Sequence, residues 1–224
     1  KRKDCVMTPL NEQAYQHLQG LIMEGQFAYN QIYSETKLSK ELGISRTPFR
    51  DAVHRLTQEG YIDIIPSKGF MLHKLTRQDI DETFQVRSAL ECYCTLQITK
   101  EIAAAPASRT VKKLIKELRL IMDMLKEIID TGGSIEEFCE YDFQFHTKII
   151  DYPGNHQISS IFATFKYRMR KLAELSLAHE GRLTDTWHEH LAILEAMENG
   201  DVAHIYEITL THMETAREIN LDDL

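Results

Sequence analysis

Apolar residues recur along the 224-residue chain at the three-to-four spacing of amphipathic helices, and the pattern breaks only once into strand-like runs. Over residues 9 to about 24, Leu10, Ala14, Leu18, Leu21 and Ile22 share one helical face. Pro9 falls in the first turn, where its missing N–H costs nothing. After a loop through Asn30, Ser34 can cap a short helix with Leu38 and Leu42 one turn apart, stopped at Gly43. Ser45 can cap a second helix from Arg46 to about Glu59, with Ala52, Val53 and Leu56 inward and Gly60 at its end. Residues 61–65 and 70–72 are β-rich and flank Pro66-Ser67-Lys68-Gly69, which predicts a small hairpin.

From Thr76 onward the strand signal disappears. Thr76 with Asp79 predicts a capping box opening a long helix to about Ala104, broken by Pro106. A helix over about 108–130 carries the stripe Val111, Leu114, Ile115, Leu118, Ile121, Met122, Leu125 and Ile129. Gly132-Gly133 punctuates, and Ser134 with Glu137 predicts a second capping box for a helix to about Asp151. The turn Tyr152-Pro153-Gly154-Asn155 precedes a helix over about 157–179, then one over about 186–198. Asn199-Gly200 closes that helix, and Asp201 is expected to cap a last one ending near Ile219. The expected fold is mainly α: an N-terminal winged helix-turn-helix over 1–75 and an all-helical bundle of about six helices over 76–224.

Composition narrows the class. With 43% apolar and 27% charged residues the chain is too hydrophobic for disorder. It contains no run of about 20 apolar residues of the kind a membrane span needs. Its Lys1-Arg2-Lys3 start lacks the apolar run of a signal peptide and, not being Met, is expected to fall short of the true N-terminus. Cys5, Cys92, Cys94 and Cys139 include no C-x-x-C spacing, which fits a reduced cytoplasmic protein without a disulfide framework. Charge is unevenly placed. Residues 1–75 hold 10 Lys/Arg against 8 Asp/Glu, whereas 76–224 hold 16 against 26. A basic excess confined to one end of an acidic chain suggests two domains with different partners.

Two short helices around Gly43 followed by a hairpin describe a motif whose second helix enters the DNA major groove with its N-terminal residues against base edges. Here that turn is Ser45-Arg46-Thr47-Pro48-Phe49-Arg50, offering two guanidiniums for guanine or phosphate and two short hydroxyls. Lys68-Gly69 places a cation and flexible backbone at the wing tip. The run Leu38 to Val53 (LSKELGISRTPFRDAV), with Leu56, Glu59-Gly60 and Lys68-Gly69-Phe70, closely resembles the DNA-binding domain of GntR-family bacterial transcription regulators over about 8–73. The resemblance implies binding to double-stranded operator DNA as a homodimer. Thr36 stands where some relatives carry a DNA-touching arginine, and Lys37 could supply a phosphate contact instead.

Projection of the later helices at 100° per residue brings polar groups onto apolar stripes. Asp142 lies amid Phe138, Phe145 and Ile149, with His146 one turn on. His190 lies among Trp187, Leu191, Leu194 and Met197, while His188 projects about 120° away. His212 is centred among Ile205, Thr209 and Ala216, and His204 faces out. One such histidine is ordinarily a satisfied core imidazole, but one Asp and three His from three helices make metal ligation the economical reading. Zinc comes first, then nickel or manganese. Arg87 and Glu91, i and i+4 among Ile80, Phe84, Cys94 and Ile98, form either a structural ion pair or a contact for an anionic effector. The segments 140–146, Asn155, 190–196 with Gly200-Asp201, and His212 look like the FCD-type effector-binding domain of the FadR subfamily of GntR regulators. In its metal-binding members the matching Asp and three His hold a metal inside the bundle. The resulting expectation is a transcription regulator controlled by a small carboxylate at that metal, with Arg87 a second contact. Two rivals are a metal-dependent enzyme using His₃Asp to activate water, and a regulator for which the metal is itself the signal.

Overall fold

The computed structural model describes residues 8–223; Cys5 and the Lys1-Arg2-Lys3 start lie outside the described residues. The chain divides after Leu75 into two compact units.

The N-terminal unit contains α1 (Leu10–Met23), α2 (Glu35–Glu41), α3 (Arg46–Gln58), β1 (Ile62–Ile65) and β2 (Gly69–Leu72). Ser34 caps α2 by accepting from the Lys37 N–H. Ser45 occupies the N-cap position of α3, but its hydroxyl makes no capping bond. The residue three positions on is Pro48, which has no N–H to donate, so one of the two usual donors is missing. The apolar faces of α1 and α3 meet over Leu18, Phe49, Val53 and Leu56, all buried. A polar seam runs beside that contact. Tyr15 donates to Glu59 Oε2 (2.5 Å), Gln19 donates to the Tyr15 and Tyr61 hydroxyls (2.9 and 2.7 Å), and Arg55 joins Glu59 to Glu12 (2.9 and 2.8 Å).

The hairpin is antiparallel, with Ile62 opposite Leu72 and Ile65 opposite Gly69. Tyr33 adds a further bridge, exchanging both backbone bonds with Phe70 (2.8 and 3.0 Å). That approach dictates the residue at 69. Gly69 has φ +131°, and a Cβ there would lie 2.0 Å from the Tyr33 carbonyl oxygen. Gly43, at φ +65°, has nothing within 4 Å of such a Cβ. Gly43→Ala should therefore cost only the left-handed backbone penalty, about 1–2 kcal/mol. Gly69→Ala should cost more and detach Tyr33 from the wing; chemical denaturation followed by circular dichroism of both variants checks the order. Burial first, then the acceptor Glu59, raises the Tyr15 pKa, and burial raises that of Tyr61. A tyrosine ionises more readily unfolded, so this unit should lose stability as pH rises above about 10. Absorbance at 295 nm should show both tyrosines ionising only as the unit unfolds.

The second unit is wholly helical: α4 (Arg77–Ala104), α5 (Arg109–Thr131), α6 (Ile135–Asp151), α7 (His156–Thr164), α8 (Lys166–Leu177), α9 (Arg182–Glu198) and α10 (Ile205–Asp222). Both expected capping boxes form, Thr76 with Asp79 and Ser134 with Glu137. Gly132, left-handed at φ 68°, ends α5. The α5 stripe packs on α6 and α9 around Leu118, Leu125, Phe138, Phe145, Ile149 and Leu194. α4 lies along α10, where the Thr95 and Thr209 hydroxyls meet at 3.1 Å.

Three expectations need correction. The single helix over 157–179 is two, parted at Phe165 without Gly or Pro. α7 packs on α4 and α6, with Phe162 stacked on Phe143, whereas α8 packs on α6 and α10, so tertiary contacts turn the chain there. α9 starts at Arg182, a turn before Thr186. Asp201 opens a turn before α10 rather than capping it, accepting from the His204 N–H, and α10 runs past Ile219. No helix among the described residues is long and apolar enough to cross a membrane.

Candidate metal centre and nucleic-acid interface

In the N-terminal unit, α3 presents its first turn outward. Ser45, Arg46, Thr47 and Arg50 are exposed, as are Lys37 on α2 and Lys68 at the hairpin tip. The 3 cationic side chains Arg46, Arg50 and Lys68 are held by different elements, and only two of them share a groove. That groove, about 440 Å³, lies between α2, α3 and the hairpin and is lined by Glu35, Arg50, His54, Ile64, Lys68 and Gly69 among others. Lys37, Ser45, Arg46 and Thr47 stand outside it. Glu35, in the first turn of α2, reaches the Arg50 Nε at 3.7 Å. Lys37 lies 3.9 Å from Glu41. His54 was missed by the sequence reading, although its place four residues after Arg50 puts it on the same helix face.

In the helical unit, α6, α9 and α10 bring three imidazoles together. His146, His190 and His212 are buried, and one ligating atom from each lies within 4.8 Å of the others. His190 Nε2 is 3.3 Å from His212 Nε2, and Asp142 Oδ1 is 3.5 Å from His190 Nε2 and 3.9 Å from His146 Nε2. The rings stack on one another, and Phe145 lies flat against His190 at 4.5 Å. His188 and His204 are exposed.

Charge behind the rings is paired. His146 Nδ1 donates to Glu91 Oε2 (2.5 Å), whose other oxygen accepts from Arg87 Nε (2.8 Å). His212 Nδ1 donates to Glu189 Oε2 (2.6 Å), and Arg182 clasps both Glu189 oxygens (2.6 and 2.8 Å). Burial alone would raise both carboxyl pKa values. For Glu91 the charges of Arg87 and His146 outweigh it, and for Glu189 the bonds from His212 and Arg182 do; each falls to about 2. Burial, aided by the neighbouring rings, pushes His190 well below the ordinary imidazole value. Burial also lowers His212, with Glu189 opposing. Buried rings kept neutral are what metal ligation requires. His146 Nε2 is buried without a hydrogen-bond partner among the described residues. An orphaned nitrogen facing two further nitrogens and a carboxylate fits a first-row divalent ion. Cys92, Cys94 and Cys139 are buried thiols pushed up to about 12.

Residues 82–215 match the FCD domain family, and residues 10–72 match the family of bacterial regulatory proteins called gntR. The chain belongs to the GntR family of regulators and carries an FCD domain. The HTH-type transcriptional regulator YdhC of Bacillus subtilis is 25% identical over 208 residues, 92% of this chain and 88% of that protein. The solved structure of E. coli McbR/YncC shares the fold, with a TM-score of 0.71 at 17% identity over 97% of this chain and 99% of that one. A solved FCD domain described as metal-free covers 67% of this chain and 96% of its own, with a TM-score of 0.54 at 20% identity. As a GntR-family member the protein is a DNA-binding transcription regulator and not an enzyme. The water-activating reading of the histidine cluster is therefore set aside.

Sequence reasoning placed Glu91 beside Arg87 but missed its second partner, His146. It missed Arg182 and Glu189 altogether. Glu189 precedes His190 by one residue, so a 100° projection sends it away from the stripe; its link to His212 on another helix has no signal along the chain.

Proposed function

We propose that this regulator binds its operator as a homodimer through α3 and the hairpin, and that a small carboxylate bound at a metal centre in the FCD domain sets its DNA affinity. His146, His190, His212 and Asp142 would hold the ion, zinc before nickel or manganese, which supplies a Lewis-acidic centre able to take a carboxylate oxygen. The convergence of three buried imidazoles with an unpartnered His146 Nε2 carries the reading.

Charge supports an anionic effector. Arg87 and Arg182 balance Glu91 and Glu189, leaving Asp142 as the one uncompensated buried carboxylate around three neutral rings. A divalent ion over-corrects that deficit by one, and a monocarboxylate restores neutrality. Arg87 lines the cavities on both sides of Asp142 and is the candidate second contact for the anion. Those cavities measure about 10 and 20 Å³, smaller than the ~30 Å³ share of a liquid water. An organic acid therefore enters only if the lining yields. Ala173 lines both cavities, which makes α8 the element that has to shift. An effector that displaces α8 binds the two states differently, which is the requirement for coupling to operator affinity.

In the N-terminal unit, Arg46 and Arg50 are assigned to base edges or phosphates, Ser45, Thr47 and Lys37 to the backbone, and Lys68 with Gly69 to the adjoining groove. On an operator selected from a random duplex library, Arg46→Ala or Arg50→Ala should weaken binding by about 1–3 kcal/mol, roughly five- to over a hundredfold. Lys68→Ala should weaken it evenly across sequences and flatten the salt dependence. Unchanged affinity of both arginine variants in a salt-controlled titration would contradict the assignment.

Metal content tests the centre. His190→Ala and His212→Ala should lose bound metal, whereas His188→Ala and His204→Ala should keep it. Asp142→Asn keeps an oxygen but loses a charge, so it should bind more weakly. Elemental analysis of the five variants, with metal-free melting temperatures as a folding control, decides. Equal metal in all five would leave a hydrogen-bonded core cluster.

A further inference from the structure

Two of the three clustered histidines are backed by the same kind of side-chain chain, and the third is not. Arg87 leads to Glu91 and then His146, while Arg182 leads to Glu189 and then His212. One relay runs from α4 to α6 and the other from α9 to α10. An ionised carboxylate only accepts, so each facing Nδ1 must carry the proton, and each Nε2 keeps its lone pair. His190 has no such backing. Its Nδ1 is buried with no hydrogen-bond partner among the described residues, and its ring lies flat on Phe145. Its Nε2 meets His212 Nε2 at 3.3 Å. The relay leaves His212 Nε2 without a proton, so that contact is a hydrogen bond only when His190 Nε2 donates.

Resting on the metal-centre reading above, we propose that Glu91 and Glu189 are positioning residues, each clamped by an arginine, that hold His146 and His212 in the metal-ligating tautomer. His190 is then the ligand whose tautomer is set by the ion. In the metal-free protein its proton sits on Nε2, and ligation through Nε2 moves that proton to Nδ1, with no net proton released. Hydrogen bonding of the distal nitrogen fixes ring orientation and raises ligand basicity, and losing such a partner typically weakens metal affinity by about 10–100-fold. The arginines keep each carboxylate pointed at its imidazole.

Long-range ¹H–¹⁵N NMR of the imidazoles in the full-length metal-free protein at neutral pH reads the tautomers directly. His146 and His212 should be protonated on Nδ1 and His190 on Nε2, and addition of Zn²⁺ should switch His190 alone. Glu91→Gln and Glu189→Gln should mix the tautomers of His146 and His212 respectively. Each should weaken Zn²⁺ binding about 10–100-fold in competition with a chromophoric chelator. Glu198→Gln, which breaks only the exposed pair with Arg119, should change neither reading. Glu91 is fully enclosed and its variant may be tested only if it folds; Glu189, 22% exposed at its side chain, supplies the second test. An Nε2-protonated His146 or His212 in the wild type, or wild-type Zn²⁺ affinity in the folded variants, overturns this inference alone. A wild-type protein that binds none of Zn²⁺, Ni²⁺ or Mn²⁺ overturns the metal reading with it.

Discussion

The helical domain is organised by the need to satisfy charge in its interior. Arg87 and Glu91 on α4 are enclosed almost completely, a placement that costs several kcal/mol per ion unless every lone pair and proton finds a partner. The partners come from other helices. Glu91 reaches His146 on α6, and Arg182 and Glu189 on α9 repeat the device toward His212 on α10. Each relay ends at an imidazole whose outer nitrogen faces the same point. Hydrophobic contacts along α5, α6 and α9 supply the bulk of the packing, but they are tolerant of small rotations. Hydrogen-bonded charges at 2.5–2.8 Å are not, and they set which face of each helix turns inward.

The N-terminal unit depends on a backbone constraint instead. Tyr33 pairs with Phe70 only because residue 69 has no Cβ, and that pairing ties the loop before α2 to the wing. The groove holding Arg50 and Lys68 follows from this tie, since its walls are the start of α2, the middle of α3 and the hairpin. Gly69 thus has a structural role whatever it does toward DNA. Glu35, beside Arg50, is a second acceptor for a side chain otherwise free to turn toward a phosphate.

Periodicity made the helices legible, together with both capping boxes and the hairpin, because each is written in residues close along the chain. The break at Phe165 was not legible: no glycine or proline marks it, and the cause is that α7 and α8 pack on different neighbours. The same distinction governs the site. Asp142, His146, His190 and His212 could be found because each interrupts an apolar stripe on its own helix. Arg182 and Glu189 could not, since Glu189 lies off its helix's stripe and its partner is 23 residues away on another helix. Ser45 shows a local signal overridden by a local cause, with Pro48 removing a donor the cap would have used.

The central claim is that one divalent ion is held by imidazole nitrogens and a carboxylate in the middle of the FCD domain. Zinc-edge X-ray absorption on the zinc-loaded wild-type protein tests it most directly. The account predicts a first shell of nitrogen and oxygen at about 2.0–2.2 Å, with multiple-scattering features from three imidazoles and no sulfur. Cys139, one turn before Asp142 and lining the same cavity, is the nearest alternative donor. A sulfur shell at about 2.3 Å, or scattering from fewer than three imidazoles, would contradict it.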